Sequence, residues 1–349
     1  MNTKVLYIHV PFSEHIASKL DQKQSNKVYA HDSSLIRQYI KEIEDIPVKL
    51  DTVYIGGATP HRLDHKLLRN LFEVLSSKLS DNYELSMEIN PRYIDEETIG
   101  LLSRQGINRV CLSIQQEEDN PFTDISKLYD FKDTVSLLHK YGIFNISFDI
   151  LFGLPNQTLK MFEDTLQNLC NLDPKHITLY EYESDDDSYN ESAYDQYISA
   201  CTILENHGFN QYEVSSFSKE GFVSRYNLSN YKYEDTYGIG PDASYKLDHF
   251  RYINTNDIEN YLKGQRLSET IELDSKTEIS EYIFMNLHLK EGLMFKEFTK
   301  KHKIDDLEIF KEEIQSSIEE DLLVQDGTGL RASPYGFKNI NDLLMYFID

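Results

Sequence analysis

Three side chains stand where acid–base or ligand-binding chemistry could be done. Glu88 lies in Ser-Met-Glu-Ile-Asn-Pro, Gln115 closes the run that starts at Arg109, and Asp149 lies in Ile-Ser-Phe-Asp-Ile-Leu-Phe-Gly-Leu-Pro. Each belongs to a short β-like run, and the carboxyl ends of parallel strands open on the mouth where such folds bind ligands. Gly56-Gly57-Ala58-Thr59-Pro60 adds a turn whose backbone amides can approach a carboxylate or an amine with no Cβ in the way. A tight βα turn and a polar network filling the mouth are the simpler readings of the same residues. Metal and nucleophile chemistry find less support. The three cysteines, Cys111, Cys170 and Cys201, sit in separate apolar-patterned stretches, no histidine pair has metal spacing, and there is no Gly-x-Ser-x-Gly elbow or P-loop. The acidic run Glu181, Glu183, Asp185-Asp186-Asp187 reads as a solvated loop.

The elements that must position these groups recur at intervals of roughly 30 residues, the size of a βα unit. Strand-like runs are Val5–Val10, Thr52–Ile55, Glu84–Ile89, Arg109–Ile114, Asn145–Leu151 and His176–Tyr182. Helical patterns fill the intervals: Leu67, Leu71, Leu75 and Leu79 after an Asp64 cap, and Leu159, Phe162, Leu166 and Leu169. Gly106 and Gly142 fall where intervening helices should end. Alternation of this kind implies a parallel sheet with helices outside, and periodicity alone leaves a doubly wound sheet open. The pattern breaks near Ser184, and from Gln211 to about Gly264 the chain is irregular and rich in tyrosine. Beyond it, Ile279–Leu287 and Leu307–Ile318 predict helices, Leu322–Val324 and Leu330–Ala332 a hairpin, and Asn339–Phe347 a final helix. The expected organisation is residues 1–210, a tyrosine-rich connecting segment over 211–265, and a helical, winged-helix-like module over 266–349.

The chain of 349 residues carries 59 acidic against 35 basic side chains, a formal net charge of −24. Such a field repels phosphate backbones and anionic lipid surfaces, so no nucleic-acid partner is expected. No run approaches the ~20 apolar residues of a membrane helix. The opening Met-Asn-Thr-Lys lacks a signal-peptide core, and three unpatterned cysteines make no disulfide framework. The expected location is cytoplasmic.

Tyr7-Ile-His-Val-Pro-Phe12, taken together with the loop after it, resembles the opening of the oxygen-independent coproporphyrinogen oxidase and haem-chaperone branch of the radical S-adenosylmethionine (SAM) enzymes. The short lead before it is similar to the chaperone side of that branch. In the family, Pro-Phe leads into Cys-x3-Cys-x2-Cys, three thiolates that hold a [4Fe–4S] cluster with one iron open to SAM. Here Ser13, Ala17 and Leu20 take those positions. A hydroxyl, a methyl and an isobutyl group cannot replace thiolates at cluster iron, so the cluster is expected to be absent.

The resemblance covers nearly the whole chain and implies an α/β fold: an open, partial (β/α)6 radical-SAM-type barrel followed by the winged-helix-like module. It implies a remnant SAM pocket at Tyr7, Gly56, Gly57, Thr59, Glu88, Gln115 and Asp149. A family arginine that pairs with the SAM carboxylate falls on Asp124 by gapless counting, which turns attraction into repulsion. Ser224-Arg-Tyr-Asn-Leu-Ser-Asn-Tyr231 resembles the family's His-Asn-x-x-Tyr-Trp signature, with Tyr226 at the histidine. A phenolate can ligate ferric haem, and a packed tyrosine with a satisfied hydroxyl is the simpler reading. Tyr237-Gly238-Ile239-Gly240 matches a family Tyr-Gly-x-Gly and is expected to be a backbone turn. The expected function is a cluster-free, haem-chaperone-like protein that handles haem or another tetrapyrrole, or regulates, without radical catalysis. The protein partner is left open. Two alternatives stand beside it: a cluster-independent enzyme acting on SAM or a nucleotide through Glu88 and Asp149, and a structural partner of an intact relative.

Overall fold

The computed structural model describes residues 3–11, 32–57, 59–113, 127–182, 192–303 and 307–348. Ser13, Ala17, Leu20, Ala58, Gln115, Asp124 and Asp185 to Asp187 lie outside that set. Six parallel strands alternate with helices in the expected order. They are β1 (Val5–Val10), α1 (Asp32–Asp45), β2 (Leu50–Gly57), α2 (His65–Lys78), β3 (Leu79–Ile89), α3 (Glu96–Arg104), β4 (Arg109–Ser113), α4 (Lys127–Lys140), β5 (Asn145–Phe152), α5 (Leu159–Cys170) and β6 (His176–Glu181). Asp64 caps α2, accepting from the amides of Lys66 and Leu67, and Thr158 caps α5 from the amide of Met161. The buried stripe of α2 is Leu68, Leu71, Phe72 and Leu75, one residue off the leucine repeat at its first position.

The sheet has nine strands among the described residues, and no closed barrel. After α6 (Ala193–Asn206), the short strands β7 (Asn210–Gln211) and β8 (Ser216–Ser218) join antiparallel beyond β6. After α7 (Arg225–Tyr231), β9 (Thr236–Ile239) joins parallel to β1. The segment that reads as irregular therefore closes both flanks of the sheet. Tyr237-Gly238-Ile239 is strand rather than turn, because the free edge of β1 gives it hydrogen-bonding partners that no local pattern signals. The end of β1 is held tightly between two glycines. A Cβ on Gly57 (φ +109°) would lie 2.4 Å from the carbonyl oxygen of Val10, and one on Gly240 (φ +105°) 2.2 Å from that of His9.

Parity along the strands sorts the two faces of the sheet. Leu6, Ile8, Val53, Ile55, Leu85, Met87, Val110, Leu112, Ile146, Phe148, Ile177 and Leu179 pack outward into one buried core with the helices. The alternate positions carry polar or aromatic groups into the lumen.

A hairpin of β10 (Ser244–Leu247) and β11 (Phe250–Asn254), α8 (Ile258–Leu262) and β12 (Leu267–Glu272) leads to a second core. It is built by α9 (Ser275–Leu287), β13 (Leu293–Met294), α10 (Phe295–His302), α11 (Lys311–Glu319), β14 (Leu323–Gln325) and β15 (Gly329–Ala332). Its strand order β13-β15-β14 and helix–strand–helix–helix–hairpin succession are those of a winged helix. Leu307 lies ahead of α11 rather than in it. Within the expected final helix, α13 covers Ile340–Leu344 and a 3-10 turn Met345–Phe347, and a separate short helix, α12 (Pro334–Lys338), precedes it.

Candidate functional site

The lumen is a set of polar rungs. Strand register places Tyr7 beside Tyr54, Tyr54 beside Ser86, Glu88 beside Cys111, and Asp149 between Ser113 and Thr178. Each oxygen of Glu88 has a partner within the protein: its Oε1 accepts from Tyr54 Oη at 2.8 Å and its Oε2 from the amide of Gly57 at 3.0 Å. Burial pushes its carboxyl up to about 7, against the two hydrogen bonds, and the nearby Asp149 adds to the rise. Asp149 accepts from Ser113 Oγ at 2.9 Å and Ser147 Oγ at 3.3 Å. Ser147 in turn meets His176 Nδ1 at 2.8 Å, and His176 Nε2 meets Tyr212 Oη at 2.9 Å. Desolvation raises the Asp149 carboxyl and lowers His176, so both are biased toward neutrality.

At the opposite end of the lumen Arg109 is fully buried, with NH1 donating to Asn145 Oδ1 at 3.3 Å and to the carbonyl of Phe222 at 3.1 Å. Glu84 lies 4.0 Å away and also accepts from the amide of Arg225, the first residue of α7. That contact anchors α7 against the lumen, where Tyr226 lays its ring on Tyr54 at 4.5 Å between centroids and on Tyr7 at 5.9 Å. Three tyrosines thus form one stack, each pair worth about 0.5–1.5 kcal/mol beyond its buried area. Tyr7 closes it by a 2.8 Å contact to His9 Nδ1.

The structure therefore brings Tyr7, Gly56, Gly57, Glu88, Asp149 and Tyr226 together. Thr59 is buried just beyond the turn. The missing Cβ of Gly56 leaves room for the Tyr54 ring and the Glu88 carboxylate, 2.9 and 3.0 Å from where it would stand. Sequence reasoning missed Tyr54, Arg109, His176 and His61. His61 is buried beside the Gly-Gly turn, and its pKa is lowered to about 4, first by burial and then by Arg62, against the opposing effect of the Glu88 backbone. Period-two alternation of polar residues through all six strands would have found the first three.

The far side of Tyr226 faces a second space. A cavity of about 650 Å³ lies between α7, the β10–β11 hairpin and α9, with Phe347 and Ile348 also on its wall.

A family model described as the radical SAM superfamily matches residues 11–169, and one described as the HemN C-terminal domain matches residues 273–337. Coproporphyrinogen III oxidase (HemN) from Escherichia coli shares the fold with a TM-score of 0.80 at 17% identity, over 99% of this chain and 90% of that one. These define the class: a radical SAM fold with a HemN-type carboxy-terminal module. The haem chaperone HemW of Bacillus subtilis is 30% identical over 86% of this chain and 87% of its own, and that of Lactococcus lactis subsp. lactis 29% identical over 98% and 96%. The chain belongs to this HemW family of haem chaperones.

Family membership implies a [4Fe–4S] cluster and SAM. The cysteines of this chain stand on β4, at the last residue of α5 and on α6, none of them in the loop after β1. Burial pushes the Cys111 and Cys170 thiols up to about 12, the opposite of what a metal thiolate needs. Among the described residues no group of three histidine, cysteine or acidic side chains could hold a metal ion, and no helix is long and apolar enough to cross a membrane.

Proposed function

We propose that this chain is a cluster-free HemW-type protein that handles haem or a related tetrapyrrole by binding, without SAM cleavage. One observation carries the reading: the chain has only three cysteines, which stand on β4, α5 and α6, while Ser13, Ala17 and Leu20 occupy the spacing where thiolates would grip iron. The donor set does not fit a [4Fe–4S] cluster. In the mouth, Glu88 accepts from Tyr54 and Gly57 and Asp149 from two serines, so part of each carboxylate's bonding capacity is already used within the protein. What remains of the family's work is tetrapyrrole handling, the role that the names of the HemW relatives give them.

The test is anaerobic iron–sulfur reconstitution with iron and sulfide analysis, followed by titration with hemin. The expected result is no stoichiometric iron and sulfide, with a saturable Soret shift. Four irons per chain, or production of 5′-deoxyadenosine from SAM, would overturn the proposal.

A second reading is favoured by a single feature, the poise of Glu88 near neutral pH, which suits a general acid or base. It makes the mouth a cluster-independent SAM- or nucleotide-binding site. Calorimetric titration with SAM separates the two readings, because micromolar binding would support the second and its absence the first.

A further inference from the structure

We infer that the cavity between α7, the β10–β11 hairpin and α9 receives the tetrapyrrole as a flat dicarboxylic macrocycle, held by its faces and by Arg251 rather than through its iron. The inference rests on the tetrapyrrole reading above and assigns it a site.

At about 650 Å³ the space is of the size that encloses a small-molecule ligand, in the range of roughly 300–1,000 Å³. Its walls mix polar side chains with aromatic and aliphatic ones, Tyr226 from α7, Tyr245 from β10, Phe284 and Met285 from α9, and Phe347 near the end of the chain. Rings and a thioether suit a broad apolar face. Arg251 supplies the charge. Its NH2 lies 2.6 Å from Glu281 Oε1, yet a guanidinium offers five N–H donors in a fork matched to carboxylates. Glu281 also accepts from Tyr233 Oη, so it keeps a partner when Arg251 turns to a ligand.

The other lining cation, Lys246, is committed to Asp235 at 3.1 Å and to the carbonyl of Asp248 at 2.6 Å. Glu234, the second acid on the wall, has its carboxyl raised by desolvation, which weakens its repulsion of an incoming carboxylate. Tyr226 is a poor iron ligand here. Its ring is pinned on Tyr54, and burial pushes its phenol up to about 12, so the phenolate that iron requires is disfavoured.

The chain contains no tryptophan, so Phe284→Trp places a single indole in the cavity, and Ile348→Trp places one at its edge should the first variant fold poorly. Metal-free protoporphyrin and its dimethyl ester are titrated against the wild type, both tryptophan variants and Arg251→Ala, with Arg251→Gln as the alternative truncation. Expected are binding of the free acid within tenfold of hemin, saturable quenching of the indole at the same affinity, and at least tenfold weaker binding of the ester. That preference for the free acid disappears in the Arg251 variants. Hemin binding with no uptake of the metal-free acid, an unquenched indole in both variants, or equal binding of acid and ester would overturn the inference and leave the tetrapyrrole reading standing. Failure of the wild type to bind either macrocycle would end both.

Discussion

The lumen and the cavity, both bordered by Tyr226, differ in how their polar groups are spent. In the lumen, Glu88, Asp149, His176 and Ser147 have their partners within the protein, at 2.8 to 3.3 Å. In the cavity, an arginine keeps donors over and the space is large enough for a ligand. A buried network that is largely satisfied rigidifies a fold, even with Arg109 Nε and Nη2 and Ser86 Oγ left over in the lumen, whereas a ligand needs groups that are not already bound. In the region that the sequence marks as the site, Glu88 and Asp149 are paired within the protein. The region that reads as irregular builds the open space.

The largest effect expected from breaking this contrast is at Arg109. Arg109→Ala strands Glu84 and leaves Asp149 without its buried cation, and loss of one partner of a buried pair costs about 3–5 kcal/mol. Urea unfolding of the variant measures it. A cost below about 1 kcal/mol would mean the lumen network is not holding the sheet.

Next in size is the pH dependence carried by Glu88. Its carboxyl is raised from 4.5 to about 7 in the folded state, so the native protein holds the proton more tightly than the unfolded chain. That stabilisation is fully present below about 4.5 and is lost as pH rises through about 7. Measured against Glu88→Gln, the wild type should lose up to about 3 kcal/mol of relative stability across that window. Glu84 titrates in both proteins, whereas Asp149 is coupled to Glu88 and its response is part of what the difference reads. A flat difference would show that Glu88 is ionised throughout.

Tyr54→Phe sharpens the same point with a smaller change. The phenol hydroxyl favours the charged carboxylate, so its removal raises Glu88 further and moves the upper edge of the window to higher pH, with about 1–2 kcal/mol lost at neutral pH. An unmoved window would remove Tyr54 from the network.

Legibility in the sequence tracks how local each feature is. The six βα units, the Asp64 cap and the helix ends at Gly106 and Gly142 are set by neighbours in sequence, and they were readable. Glu88 and Asp149 were readable as inward-facing groups because they interrupt apolar runs. The joining of β9 to β1 and the seating of α7 in the lumen were not, since Tyr226 meets Tyr7 and Tyr54 across more than 170 residues of chain. Nor can a cavity be read when its walls come from α7, β10, α9 and the chain's last residues. The cluster-position residues Ser13, Ala17 and Leu20 show the reverse case: the family resemblance carries that reading, and they lie outside the described residues.

The smallest expected effect is the most discriminating between the two regions. Tyr226 touches both, but through different atoms: its ring stacks on Tyr54, while its hydroxyl meets the side chain of Asn230. Tyr226→Phe keeps the ring and deletes only the hydroxyl, so the stack persists and stability falls by no more than about 0.5–1.5 kcal/mol. The Glu88 window should stay where it is, because the hydroxyl of Tyr226 makes no bond to that carboxylate. Tyr226→Ala removes the ring as well, opens the wall between lumen and cavity, and lets water reach Glu88. Desolvation is the main cause of its raised pKa, so the window should then fall back toward 4.5. If the phenylalanine variant moved the window as far as the alanine variant, the two regions would be joined through hydroxyl chemistry rather than divided by a ring.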